Sequence, residues 1–222
     1  MNNHFQNHEW LRERVILSST NAEIDMVNEY MTRRFPGKEH VCNSVDTAET
    51  EGKYTVSIEI LNSLCPSGMP PHQMTLKIGM LIMLLRNIDQ INGHCNGSRY
   101  VIEDIRKHLL IVKSVTGTKI GNTLLIPRFN LCPTEDTFPF KMTRRQFPVR
   151  PCFAMTVNKS QGQTLERVGI LCMRDFFSHG QLYVAMSRVG SSECLRILSL
   201  DESTKEKRRF INNVVYKEVF QN

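Results

Sequence analysis

The hydrophobic pattern changes character twice along this 222-residue chain. Near the start, "RVILSS" reads as a short buried strand and "TNAEIDMVNEYMTRRF" as a helix. Thr20 and Glu23 stand at capping-box spacing. Ile24, Val27, Met31 and Phe35 share one stripe at helical spacing, and Pro36-Gly37 ends the run. A strand followed by a helix begins an α/β layer. From about residue 76 to 148 the pattern becomes a series of β-branched and apolar runs: "LKIGMLIMLLRN", "GSRYVIEDI", "HLLIVKSV" and "NTLLIPRF". Gly93, Asn96-Gly97, Thr116-Gly117 and Gly121 punctuate them. Four such strands predict a small antiparallel barrel or sheet. The proline-rich "LCPTEDTFPFKMTRRQFPV" reads as an irregular exit linker. From Val149 the α/β pattern returns, as a strand over 149–157, a polar turn, a strand over 168–173, a helix over 179–189 and a strand over 194–200. The expected architecture is therefore an α/β domain with a β insert. Residues 1–60 and 148–222 form the first, and residues 61–147 form the second.

Hydrophobic residues make up 41% of the chain, enough for a core. No apolar run approaches the roughly 18–20 residues of a membrane span. The start, "MNNHFQNHEWLRERVIL", has no signal-peptide apolar region, so a cytosolic, nuclear or organelle-matrix protein is expected. Seven cysteines are scattered with no CxxC pair, which predicts free, mostly buried thiols rather than a disulfide framework or a zinc site. No other metal site is expected. Net charge is +6, and between Lys141 and Arg167 six basic residues face one acidic residue. That concentration permits a polyanionic partner, although a solvated basic face would look the same.

The basic stretch brackets "FAMTVNKSQGQTLERVGI", Phe153 to Ile170. Ser160 and Gln163 have the S-x-x-Q spacing of a capping box, so a short helix is expected from about Gln161. A helix start offers unpaired N–H groups and a positive dipole end. Gly162 allows close approach, and Thr156, Lys159 and Ser160 add donors. Together these predict a phosphate-gripping loop at the C-terminal edge of a sheet. A second patch, "HGQLYVAMSRVG", places Leu182, Ala185, Met186 and Val189 on one helix face. Gln181, Val184 and Arg188 lie on another. Arg188 reads either as a surface arginine complementing the helix dipole or as a planar donor fork for a γ-phosphate.

"TVNKSQGQT" followed by "LYVAMSRV" resembles motifs V and VI of superfamily-one DNA helicases of the RecD/PIF (petite integration frequency) type, including those borne by Helitron transposons. The resemblance extends over nearly the whole chain. "ILSSTNAEIDMVNEYMTRRFPG" is similar to the opening of the family's second RecA-like domain, 2A. "LNSLCPSGMPPHQMTLKIGMLIMLLRNIDQINGHCNG" resembles its 2B region, and "NVVYKEVF" its usual C-terminus. Asn158 is a departure, since many relatives carry histidine there.

The resemblance implies an α/β, RecA-like, P-loop NTPase-type second domain with an inserted small 2B-like β-barrel. It implies that Thr156, Asn158, Lys159, Ser160 and Gln161 contact the single-stranded DNA backbone, with Gly162 beside them, and that Gly162 and Gln163 belong to the nucleotide-binding set and relay nucleotide state. Arg188 would meet the γ-phosphate of ATP, supported by Gln181 and Tyr183. Arg86, Asn87 and Asn96 would help hold the strand. Nuclear residence is expected, with mitochondria the alternative. The family's Walker A pattern, G-x-x-x-x-G-K-[ST], does not occur in this sequence. "LRILSLDE", Leu195 to Glu202, imitates a Walker B strand but follows motif VI, so it reads as an ordinary core strand ending at a polar turn. The chain is thus expected to be the C-terminal portion of an ATP-dependent 5′-to-3′ DNA helicase acting in replication, repair, recombination, telomere maintenance or transposition. ATP and Mg²⁺ would require the absent N-terminal RecA-like domain, so the chain alone is not expected to hydrolyse ATP. The alternative is a non-catalytic single-stranded-DNA-binding remnant of a transposon helicase.

Overall fold

The structure is a computed structural model that describes residues 5, 7–50, 52, 55–117, 120–133, 138–201, 204 and 206–216. The chain divides into two compact units: residues 1–34 with 152–222, and residues 35–151.

The first unit is built on a four-stranded parallel sheet. After helix α1 (His8–Arg12), strand β1 (Arg14–Ser18) leads into helix α2 (Asn21–Arg34). Thr20 caps α2 as expected, its Oγ1 accepting the Glu23 N–H at 3.4 Å. The Glu23 carboxylate does not close the box. It turns inward, where Oε1 accepts the N–H groups of Met173 and Arg174 and Oε2 accepts the Ser18 hydroxyl. The inner face of α2 is accordingly more polar than its apolar stripe predicts: Glu23, Asn28 and Thr32 are buried with Ile24, while Val27 and Met31 are half-exposed. Asn28 serves the neighbouring strand. Its Oδ1 accepts the N–H groups of Phe153 and Ala154 at 2.9 Å each, and its Nδ2 donates to the Ala154 carbonyl at 3.1 Å. A short amide carries its acceptor and its donor on separate atoms, so it can serve N–H groups and a carbonyl of the same strand at once.

The second unit carries the insert. It contains β2 (His40–Asn43), β3 (Val45–Glu49), α3 (Ile58–Ser63), β4 (Gln73–Leu76), β5 (Leu81–Leu84), β6 (Arg99–Ile105), β7 (Leu109–Ser114), β8 (Thr123–Pro127), β9 (Phe129–Leu131), β10 (Lys141–Gln146) and β11 (Val149–Pro151). The four predicted strands form β5 to β8, an antiparallel ladder extended by β11 in the order β11-β5-β6-β7-β8. Further sheets run β3-β10-β9 and β2-β4, also antiparallel. Residues 35–60, grouped with the α/β domain by sequence, here pack with the β unit, because β2 and β3 pair with β4 and β10.

The exit linker is the main correction. Much of it is strand β10, at the centre of a sheet between β3 and β9; residues 134–137 lie outside the described residues. Its inward positions are Met142, Arg144 and Gln146, which is why the sequence conceals it. Arg144 is 0% exposed and ion-paired to Asp46, Nη2 to Oδ2 at 2.6 Å. Two further donors reach the carbonyls of Pro70 (3.1 Å) and Leu61 (2.9 Å). Ser44 donates to the same carboxylate at 2.6 Å. A buried charge pair is tolerable only when its hydrogen-bonding groups find such partners. Burial also pushes the Tyr100 phenol up to about 12, and its oxygen lies 2.9 Å from His94 Nδ1.

Returning to the first unit, the strand expected over 149–157 is broken. Its first part is β11, in the β unit, and its second is β12 (Ala154–Thr156), beside β1. Then follow a 3₁₀ turn (Val157–Ser160), β13 (Arg167–Cys172), α4 (Gln181–Met186), a second 3₁₀ turn (Ser192–Cys194) and β14 (Leu195–Ser199). The sheet order is β12-β1-β13-β14, with every pair parallel. β14 is an edge strand, not the core strand expected: Ile197 and Leu198 are 46% and 42% exposed. Glu202 and residues 217–220 of "NVVYKEVF" lie outside the described residues.

Each of the seven cysteines is a free thiol, but only Cys42, Cys152 and Cys172 are buried, and Cys65 and Cys132 are exposed. No described helix is long and apolar enough to cross a membrane.

Candidate functional site

Parallel pairing of β1 with β12 sets Ser18 beside Thr156 at the C-terminal ends of both strands. Open α/β sheets present ligand sites along this edge, and the polar turn leaves from it. The local fold differs from the expected helix after Gln161. The helical turn comes earlier, over Val157–Ser160, with Thr156 as its cap: Thr156 Oγ1 accepts the Lys159 N–H at 3.4 Å. Ser160 does not cap. It is 0% exposed, and its hydroxyl donates back to the Val157 carbonyl at 2.7 Å. Gly162 then takes a φ of +77°, a left-handed value that stops any helix starting at Gln161. Gln163 folds its amide back onto the Lys159 carbonyl at 3.1 Å. The surface that results presents Asn158, Lys159, Gln161 and Gly162 to solvent, while Thr156 is half-buried. The basic stretch around it is divided between the two units. Arg144 is inside the β unit, Lys141, Arg145 and Arg150 belong to that unit, and Lys159 and Arg167 belong to the other.

Helix α4 is shorter than predicted, covering six residues instead of 179–189. Ala185 is buried, but Met186 is 43% exposed, so the apolar face is narrower than its spacing implies. Tyr183 is 73% exposed. Gln181 is 4% exposed, and neither atom of its amide has a hydrogen-bond partner. Arg188 sits two residues past the helix end. Its Nε donates to the Val184 carbonyl at 2.8 Å, and Nη1 reaches the carbonyls of Ser160 (3.4 Å) and Gln163 (3.2 Å). The chain around it adds a return bond, Leu165 N–H to the Arg188 carbonyl at 2.8 Å. The structure therefore brings the turn and Arg188 together, through contacts between residues up to 28 apart.

Arg86, Asn87 and Asn96 lie in the β unit, around an open cleft of about 400 Å³. Asn87 Oδ1 accepts the Asn96 N–H at 2.8 Å, which closes the base of the 87–96 loop. Among the described residues no group of three or more His, Cys, Asp or Glu side chains converges as metal ligands would. Sequence reading missed Asp46 and Asn28, and it gave Glu23 only a capping role. Their only signal is a polar residue inside an otherwise ordered apolar run.

A parallel sheet with this turn and arginine at its C-terminal edge, interrupted by an antiparallel β unit, is the RecA-like domain with a 2B insert found in superfamily-one helicases. Residues 59–105 match the model of "DNA helicase Pif1, 2B domain", and residues 109–216 match a model described as "Helicase". The PIF1 helicase of Xenopus laevis is 29% identical over 207 residues, covering 88% of this chain and 29% of that protein. The human one is 30% identical over 182 residues, covering 81% and 26%. The Pif1 helicase of Candida albicans has a TM-score of 0.66 at 25% identity, with 89% of this chain and 47% of that chain covered. Bacteroides Pif1 bound to single-stranded DNA has a TM-score of 0.66 at 18% identity and shows the shared fold, covering 99% and 51%. Over most of its length the chain is similar to the PIF1-type DNA helicases, and it spans less than a third of the length of these two curated relatives.

Proposed function

We propose that this chain is the C-terminal part of an ATP-dependent DNA helicase, with residues 1–34 and 152–222 acting as domain 2A and the 2B region lying within residues 35–151. In this reading the exposed turn, Asn158 to Gly162, tracks the backbone of single-stranded DNA, with Lys159 opposite a phosphate. Ser160 and Thr156 act indirectly by holding the turn's shape. The observation that carries the reading is the guanidinium of Arg188 resting on the carbonyls of Ser160 and Gln163. A group that would meet a γ-phosphate is thereby attached to the loop that would meet DNA.

ATP fits this chain only in part. Arg188 supplies a planar, permanently charged donor fork for a phosphate, and Tyr183 stands exposed on the short helix that precedes it. A second RecA-like domain would have to supply the remaining phosphate and Mg²⁺ contacts, so hydrolysis is expected only in its presence. When bound, ATP would supply the free energy of phosphoryl transfer. A DNA-processing role fits nuclear residence.

The test is strand binding by the isolated chain, followed by fluorescence anisotropy at several salt concentrations. Affinity should fall steeply with salt. Lys159→Ala should reduce the slope of log K against log salt by about one. An unchanged slope removes Lys159 from the interface. Strong single-strand-stimulated ATP hydrolysis by the pure chain would overturn the assignment as a part-motor.

A further inference from the structure

We propose that the cleft in the β unit is a nucleobase subsite, one that takes a base of a single strand out of its stack. The inference rests on the strand-binding reading above and adds to it a base-dependent contact.

The lining decides the ligand class. Met69, Leu85 and Leu131 are buried and form an apolar floor, whereas Arg86, Asn87 and Asn96 are exposed around it. A phosphate placed on such a floor would lose its hydration without gaining donors from below. A base has the complementary build: flat apolar faces, with acceptors and donors confined to its edge. The thioether of Met69 adds a polarizable contact for an aromatic face. Among the described residues Arg86 makes one side-chain hydrogen bond, Nη1 to the Asn130 carbonyl at 3.4 Å, so its fork can turn to a base edge or to the adjoining phosphate. The volume lies within the range of about 300–1,000 Å³ usual for small-molecule sites.

The rim is also held in place before any ligand arrives. Besides the Asn87–Asn96 bond, the loop between them is fixed by Asp89, which accepts from Asn92 N–H (3.1 Å) and Nδ2 (2.5 Å). Ser98 donates to the Gly93 carbonyl at 3.1 Å, and the Asp89–His94 bridge completes the closure. A preformed rim reduces the entropy lost when a ligand is ordered on it.

Cys132 lines the cleft with an exposed thiol, and Cys65, exposed in the same unit, does not line it. Alkylation of the two thiols by a maleimide, followed peptide by peptide in the mass spectrometer, reads the site directly. The probes are oligothymidylate and a strand of equal length made wholly of abasic sugars, both at low salt, with binding of each measured in parallel. Oligothymidylate should slow Cys132 by about fivefold or more, leave Cys65 unchanged, and bind more tightly than the abasic strand. The abasic strand should bind through its phosphates yet slow Cys132 by less than about twofold. Equal slowing by both strands would mean that backbone covers the cleft, and would overturn a base subsite. Binding with no slowing by either strand would remove the cleft from the interface. No binding of either strand would refute the strand-binding reading itself, and the subsite with it.

Discussion

Replacing Asp46 with alanine removes the carboxylate that answers Arg144. The guanidinium cannot follow its partner out to water, because its side chain is 0% exposed and β10 lies between two paired strands. Two of its five donors would still reach Pro70 and Leu61, and the donors now on Asp46 would have no acceptor. Ser44 loses an acceptor as well. Breaking one side of a buried pair costs about 3–5 kcal/mol, more than the pair itself contributes over apolar residues. For a unit of this size that corresponds to a fall in Tm of roughly 10–25 °C. The assay is urea and thermal unfolding by circular dichroism, with hydrogen exchange to place the loss in β3 and β10. Asp46→Asn should fall between wild type and Asp46→Ala, since it keeps an acceptor but not the charge. Arg145→Ala, an exposed neighbour on the same strand, should change stability by no more than about 0.5 kcal/mol. A cost below about 1 kcal/mol for Asp46→Ala, with the fold intact, would refute the reasoning, because Arg144 would then have a route to solvent or another partner.

Asn28→Ala should cost about 3 kcal/mol in urea unfolding, since it strands two N–H groups and one carbonyl at the start of β12. Arg188→Ala should weaken strand binding by about fivefold with an unchanged salt slope, because Arg188 shapes the turn without touching DNA there; Arg188→Lys should rescue little, having no planar fork. Tyr100 should stay protonated in the native state until about pH 12. Unfolded chains release that proton near pH 10, so stability should fall as pH rises from about 10 to 12, visible as a late phenolate absorbance step and absent in Tyr100→Phe.

The fold was legible wherever burial follows apolar period. β1, α2 and the ladder β5 to β8 stand close to where alternation and turn residues put them. It was illegible where the inward positions are polar. β10 shows Met, Arg and Gln to the core, and the partner that makes Arg144 admissible is 98 residues away. The turn after β12 failed for a different reason. Ser160 and Gln163 have the spacing of a cap, but the serine hydroxyl is spent on Val157 and Gly162 adopts a backbone that helices exclude. A glycine two places into a proposed helix was the available warning. The residues of the turn and of α4 were each recognisable. Their joining through Arg188 was not, because backbone carbonyls carry no sequence signature.

The outer side of β14 has a practical consequence for anyone handling the protein. Along 195–198 its ladder groups pair only toward β13 among the described residues, and Ile197 and Leu198 put apolar surface on both sides of the ribbon. Such an edge is a template for intermolecular sheet growth, with Arg196 as the lone charged gatekeeper within it. Precipitation of this chain at high concentration should therefore begin at residues 195–198, and a lysine at position 198 should delay it without disturbing the turn or the cleft.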